Sequence, residues 1–191
     1  MSQEREIYPV EVAGLQRALP LFEVAPGVRI AIVNILGDTE LVQVSARALA
    51  EALRAHQPSA LVTAEAKAIP LAYALSVEMG VPFVVLRKTY KSYMGEALSS
   101  ETASITTGKT QTLYLDEKDR AIVSGHSVVL VDDVISTGST LNGMRLLMEQ
   151  AAAKVVATAA IFTEGDGAQW KDVIALGHLP VFTNKQEDDD L

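Results

Sequence analysis

The sequence predicts an α/β fold, a mainly parallel sheet flanked by helices. Three observations carry that expectation. Short β-branched apolar runs alternate with segments whose apolar residues recur at helical spacing, the pattern of strands joined by crossover helices. Val128, Val129, Leu130 and Val131 are continuously apolar, as a strand covered on both faces must be. Hydrophobic content of 49% with only 5% aromatic residues suits a core of Ala, Val and Leu, and 191 residues suit one domain.

Gly27 to Ile35 reads as the first strand, with Val28, Ile30 and Ile32. Asp38 or Thr39 caps a helix running to about Ala55, with Leu41, Val44, Ala48 and Leu53 on its apolar face. Ala60 to Thr63 is a short strand, and Ala68 to Met79 a helix with Pro70 in its first turn. Phe83 to Leu86 is the next buried strand. Residues 88–110 are polar, rich in Ser, Thr and Lys, and predict a long functional or mobile loop, with Gln111 to Leu115 as its returning arm. Beyond the Val128 strand come a helix to about Ala152, a strand from Val155 to Phe162 and a mixed end. The whole chain, 1–191, is expected to form one domain with its core at 26–165 and an N-terminal arm at 1–25. Residues 185–191 read as a solvated, disordered acidic tail.

A net charge of −8 argues against general nucleic-acid binding, which needs a basic face. No apolar run approaches the ~18 residues of a membrane span. The charged start of the chain has no signal-peptide core. With no cysteine there is neither a disulfide framework nor a thiolate nucleophile. The expectation is a soluble cytoplasmic protein without nucleic-acid or membrane partners. His56, His126 and His178 show no ligand spacing, so no zinc site is expected, and Trp170 is expected to serve packing.

Chemistry concentrates where the Val128–Val131 run ends. Asp132 and Asp133 follow it, then the turn Ser136-Thr137-Gly138-Ser139-Thr140, then Leu141, Met144, Leu147 and Met148 at helical spacing. A turn that opens a helix points several N–H groups at one place, where the helix dipole also favours an anion. Gly138 lets the backbone come close to a phosphate, and the flanking hydroxyls add donors. Two carboxylates beside a phosphate repel it unless sugar hydroxyls or a divalent cation lie between. The pattern therefore suits a sugar phosphate, with phosphate in the turn and hydroxyls on Asp132 and Asp133. The simpler alternative is a doubly wound strand that merely ends in acids.

The segment 128–140 resembles the phosphoribosyl-pyrophosphate (PRPP) signature of type I phosphoribosyltransferases. Two upstream segments resemble that family in the same order. Glu65-Ala66-Lys67 lies in a strand-to-helix turn that, in the family, holds pyrophosphate, often through a strained peptide bond. Lys67 stands where adenine-type enzymes usually carry arginine, and Glu65-Ala66 is more similar to xanthine-type enzymes and purine-repressor relatives. Arg87, Lys88 and Lys91 resemble the Arg-Lys-x-x-Lys of adenine-type enzymes, cations that can neutralise a pyrophosphate leaving group. Ala103 to Thr110 nearly matches a Walker phosphate loop but lacks its first glycine; in the resemblance it is the mobile loop that closes over PRPP. Adenine-type enzymes usually carry Glu-Tyr there, and this chain has Thr106-Thr107.

The resemblance implies a small N-terminal hood, a mobile loop and a purine phosphoribosyltransferase of the adenine/xanthine branch, with adenine the first choice of base. It implies Asp132 and Asp133 as the catalytic carboxylates and Ser136, Thr137, Gly138, Ser139 and Thr140 as the 5′-phosphate site. Glu65, Ala66, Lys67, Arg87, Lys88 and Lys91 would form the pyrophosphate site. Val134 is the candidate to stack on the base. Mg²⁺ is the implied cofactor, met by Asp132 and otherwise by PRPP and water, and a homodimer is the implied assembly. A PRPP-sensing regulatory protein and a xanthine/guanine-type transferase remain the alternatives.

Overall fold

The computed structural model describes residues 6–103 and 110–183. In chain order the elements are β1 (Ile7–Val12), β2 (Leu15–Ala25), β3 (Val28–Ala31), α1 (Thr39–Leu53), β4 (Ala60–Ala64), α2 (Ile69–Met79), β5 (Phe83–Leu86) and β6 (Leu98–Ala103). There follow β7 (Thr110–Leu115), α3 (Arg120–Val123), β8 (Ser127–Ile135), α4 (Ser139–Gln150), β9 (Lys154–Glu164), β10 (Val173–Leu179) and β11 (Val181–Thr183).

Five strands pair in parallel in the order β10-β9-β8-β4-β5. β4 and β8 lie inside this sheet, and their apolar residues do not alternate with polar ones because both faces are covered. On one face α1 and α2 bring Leu49, Leu53, Leu71 and Leu75 into a cluster with Val129 and Val131. On the other, α4 and the β6–β7 hairpin bring Met144, Leu147, Leu113 and Leu115 into a cluster with Val128 and Leu130. The sheet reverses direction of growth between its neighbours β4 and β8. From β4 the chain crosses outward to β5, and from β8 it crosses the other way to β9 and β10. Such a reversal opens a crevice beyond the strands' carboxyl ends, which is where an open α/β sheet takes its ligand.

A second, antiparallel sheet has the order β1-β2-β3-β11. Its first hairpin turns at Ala13 and Gly14, with φ of 50° and 78°, as a two-residue hairpin requires. The strand expected over Gly27–Ile35 is shorter, Val28–Ala31, and pairs in this sheet with β2 and β11. Tyr8 and Phe182 meet edge to face across it at 5.3 Å.

Arg17 fastens this sheet to the start of α1 through ion pairs with Asp38 and Glu40, the latter from Nη2 to Oε2 at 2.9 Å. Arg17 of β2 donates from Nε and Nη2 to the two carboxylate oxygens of Asp38 at 2.7 and 2.9 Å. Asp38 Oδ1 also accepts the Leu41 N–H at 3.1 Å, so one carboxylate caps the helix and holds the hairpin. The Arg17 hydrogen bond, against desolvation, holds the Asp38 carboxyl below its usual 3.8. Asp38→Ala is expected to cost about 1–2 kcal/mol from the lost cap and to lower the melting temperature by about 2–8 °C at pH 7. A depressed carboxyl stabilises above its unfolded pKa and ceases to as pH falls below it. Melting curves at pH 7 and pH 3 should therefore show the gap between variant and wild type narrowing at the lower pH.

Residues 88–110 are not one long loop. A single 3₁₀ turn spans Ser92–Met94, and Leu98–Ala103 is a strand paired with β7. The stem of this hairpin is bound to the body of the protein. Ser100 Oγ donates to the Gly143 carbonyl of α4 at 2.8 Å. A Cβ at Gly143 would stand 3.1 Å from Leu113, so glycine permits the close packing. Arg87 and Tyr114 exchange backbone hydrogen bonds of 2.9 and 2.8 Å, joining the hairpin to the end of β5. Small polar residues, Ser100 and Thr102, face the helix here, which is why the strand reads as loop. Residues 104–109, with Thr106-Thr107, and the acidic tail at 185–191 lie outside the described residues. Among the described residues no helix is long and apolar enough to cross a membrane.

Candidate active site

β8 delivers Asp132 and Asp133 to the crevice, and α4 begins six residues later. Between them Ser136, Thr137, Gly138, Ser139 and Thr140 curl into a small cavity of about 40 Å³ that also reaches Asp132, Val134, Ile135 and Leu141. Gly138, at φ 74°, is the N-cap of α4, and no side chain caps that end. The Ser139 N–H makes only a long contact of 3.5 Å with Thr137 Oγ1, so the start of the helix can turn its amides to an anion. Thr137 Oγ1 donates to Ser139 Oγ at 3.3 Å.

A larger cavity of about 240 Å³ adjoins this cradle and shares Asp132, Val134 and Thr140 with it. Its other walls are Ala64, Glu65, Ala66, Lys67, Ala68, Lys88 and Asp133. The peptide bond between Glu65 and Ala66 is cis. Lys67 Nζ donates to the Val33 carbonyl at 3.4 Å, which ties this lysine to the segment after β3. Among the described residues no cluster of three or more His, Cys, Asp and Glu could hold a metal by itself.

The acidic pair is electrostatically tense. Asp133 is buried, and its N–H donates to Asp132 Oδ1 at 2.9 Å. Burial first, and then the adjacent Asp133 charge, push the Asp132 carboxyl from 3.8 up to about 8, with Lys88 working in the opposite direction. Glu65 is the reverse case. Against a desolvation that would raise it, the Lys88 N–H and the Arg87 guanidinium hold its carboxyl below the usual range. Arg87 Nε donates to Glu65 Oε2 at 2.5 Å and the Lys88 N–H to Oε1 at 2.7 Å.

The fold therefore brings Asp132, Asp133, Val134, Ser136 to Thr140, Glu65, Ala66, Lys67 and Lys88 around two joined cavities. Arg87 stands behind Glu65, and Lys91 is exposed and lines neither cavity. Trp170, expected only to pack, does so at the site. A Cβ at Gly138 would lie 2.8 Å from its ring, whose Nε1 donates to the Glu164 carbonyl at 3.0 Å. The Val33 carbonyl that holds Lys67 and the Trp170 ring against Gly138 carry no sequence signal of their own, because tertiary packing alone brings them there.

Comparison with known proteins agrees with this arrangement. The family model described as "Phosphoribosyl transferase domain" matches residues 33–178. The chain is 29% identical over 144 residues to the purine biosynthesis transcriptional repressor PurR of Bacillus subtilis, covering 75% of this chain and 50% of that protein. It is 36% identical over 107 residues to a hypoxanthine/guanine phosphoribosyltransferase of Methanococcus voltae, covering 56% of this chain and 54% of that one. The chain thus spans about half the length of the curated relatives it matches. Its fold is similar to the crystal structure of adenine phosphoribosyltransferase from Thermoanaerobacter pseudethanolicus, at a TM-score of 0.66 and 25% identity, over 91% of this chain and 95% of that one. The match through both cavities and across most of the parallel sheet means that the chain belongs to the phosphoribosyl transferase domain family.

Proposed function

We propose that this chain transfers the phosphoribosyl group of PRPP to a purine base, releasing pyrophosphate and leaving a nucleoside monophosphate. The observation that carries the reading is that the anion cradle and the cation-lined cavity meet at Asp132. A sugar with phosphate at one end and pyrophosphate at the other spans such a site. The 5′-phosphate takes the amides and hydroxyls of 136–140. Ribose hydroxyls donate to Asp132 and Asp133. Lys67 and Lys88 face the pyrophosphate, with Arg87 and Lys91 flanking them. As the bond at the anomeric carbon breaks, positive charge builds on the ribose, and the two carboxylates stabilise it. Val134, which lines both cavities, is the residue proposed to stack on the base.

Mg²⁺ fits the donors present. They are oxygens, and Asp132 and Asp133 stand next to each other on the wall of the larger cavity, where a hard cation would favour their ionised forms. Without a protein cage among the described residues, it would draw most of its ligands from pyrophosphate and water, with Asp132 nearest. Bound there, it supplies charge neutralisation on the leaving group.

Adenine is the base proposed first. The Arg87-Lys88 and Lys91 pattern resembles adenine-type enzymes, and the structural neighbour from Thermoanaerobacter pseudethanolicus is one. The relative from Methanococcus voltae is named for hypoxanthine and guanine, so both classes belong in the test. The reading also carries a cytoplasmic homodimer. The test is a pyrophosphate-release assay with PRPP and Mg²⁺, offering adenine, guanine, hypoxanthine, xanthine and orotate in turn. Release with a purine, accompanied by its monophosphate, is the expected result. Release with none, alongside calorimetric binding of PRPP, would replace the enzyme by a regulatory PRPP sensor.

A further inference from the structure

We infer that Glu65 is a positioning residue for pyrophosphate, one that sets the start of the 87–91 segment so that Lys88 enters the cavity, and that its own carboxylate does not meet the ligand. The inference rests on the proposed function and deepens it. A carboxylate on the wall of a pyrophosphate site is at first sight a fault, since like charges a few ångströms apart repel. Here both of its oxygens are already taken. Oε2 holds Arg87 Nε at 2.5 Å and Oε1 holds the Lys88 N–H at 2.7 Å. The Glu65 N–H in turn donates to the Leu86 carbonyl at 2.9 Å, so the residue is tied from backbone and side chain to the same strand end.

The consequence falls on Lys88. Its backbone is fixed by Glu65, its side chain lines the larger cavity, and its charge reaches Asp132. Lys88 thus shares the wall of the larger cavity with the acidic pair. Arg87 is kept beside it with its charge partly offset by Glu65, leaving the lysines as the cations that face the ligand. Glu65 acts at one remove, by holding the cation that touches the substrate.

The two roles open to Glu65 predict opposite signs. If it were a bystander, removing its charge would relieve repulsion and tighten pyrophosphate. If it is a positioning residue, removal loosens Lys88 and weakens pyrophosphate. The experiment titrates magnesium pyrophosphate calorimetrically into wild type, Glu65→Gln and Glu65→Ala, and measures KM for PRPP and for the purine base with each. Glu65→Ala is expected to weaken pyrophosphate and raise KM for PRPP by about a hundredfold, with KM for the base within about twofold. Glu65→Gln keeps an oxygen for the Lys88 N–H and should recover part of the loss, remaining about tenfold weaker than wild type. Should Glu65→Ala fail to fold, as melting curves would show, the volume-matched Gln variant carries the test. Variants that bind pyrophosphate as tightly as wild type, or more tightly, overturn the inference and leave the function intact. A wild-type protein that binds no pyrophosphate overturns the function itself.

Discussion

Asp132→Asn will lower pyrophosphate release by about a hundredfold or more and will make the ligand-free protein more heat-stable above pH 8. Both effects have one cause. The Asp132 carboxyl is buried beside Asp133, and its pKa is raised from 3.8 to about 8. Between those values the folded protein holds a proton that the unfolded chain releases, so stability falls as pH rises through the window. Asparagine removes that cost along with the charge. A single unit of the shift corresponds to ~1.4 kcal/mol, or roughly 2–4 °C in melting temperature for a chain of this size. Scanning calorimetry at pH 4 and pH 8.5 should show little gain at the first and the full gain at the second. An equal gain at both values would mean that Asp132 is not held protonated in the empty site. In the proposed reaction the charge that burdens the ligand-free protein above pH 8 would face the developing cation on ribose, a trade of stability for activity common at functional sites.

Gly138→Ala will weaken PRPP binding by about ten- to a hundredfold. At φ 74° an alanine pays about 1–2 kcal/mol for the left-handed backbone. Its Cβ would also lie 2.8 Å from the Trp170 ring, closer than carbon atoms approach without displacement. The indole is tethered through Nε1 to Glu164, so the turn must shift as well, carrying with it the amides that form the cradle. Trp170 is the only tryptophan in the chain, and it sits against that turn. Its fluorescence should therefore change saturably as wild type takes up PRPP, and the variant's curve should move to higher concentration. Superimposable curves would mean that the turn does not contact the ligand.

The parts of the fold legible in the sequence are those in which neighbours in the chain are neighbours in space. Val128 to Leu141 supply strand, acids, turn and helix in one stretch, and the structure assembles them in that order. β4 with α2 and β5 were equally plain, because buried parallel strands announce themselves as apolar runs. What escaped was built from weaker local signals. β1 and β2 belong to a half-exposed antiparallel sheet, and they turn on Ala13-Gly14 instead of a stronger Asn-Gly pair. β6 is hidden by the polar run Ser99, Ser100, Glu101 and Thr102, of which the small Ser100 and Thr102 fit against α4 while Ser99 and Glu101 are exposed. The Arg17–Asp38 clamp and the Trp170 contact join residues far apart in sequence, and nothing in either neighbourhood marks the partner. At the site, the residue types were readable but their pairings were not. Glu65 stood among cations in the sequence; only the structure shows which two donors occupy it.

The two sheets close over very different spans of chain. The cradle needs only a strand and the helix that follows it. The antiparallel sheet is completed when β11 meets β3, Val181 opposite Ile30, from the far side of the parallel sheet. Closing so long a loop is entropically slow and its contacts come late. The route by which the protein breathes follows from that asymmetry. Amide exchange should start in the β1-β2-β3-β11 sheet and reach β8 last, so one side of the crevice can loosen while the grip around Gly138 persists.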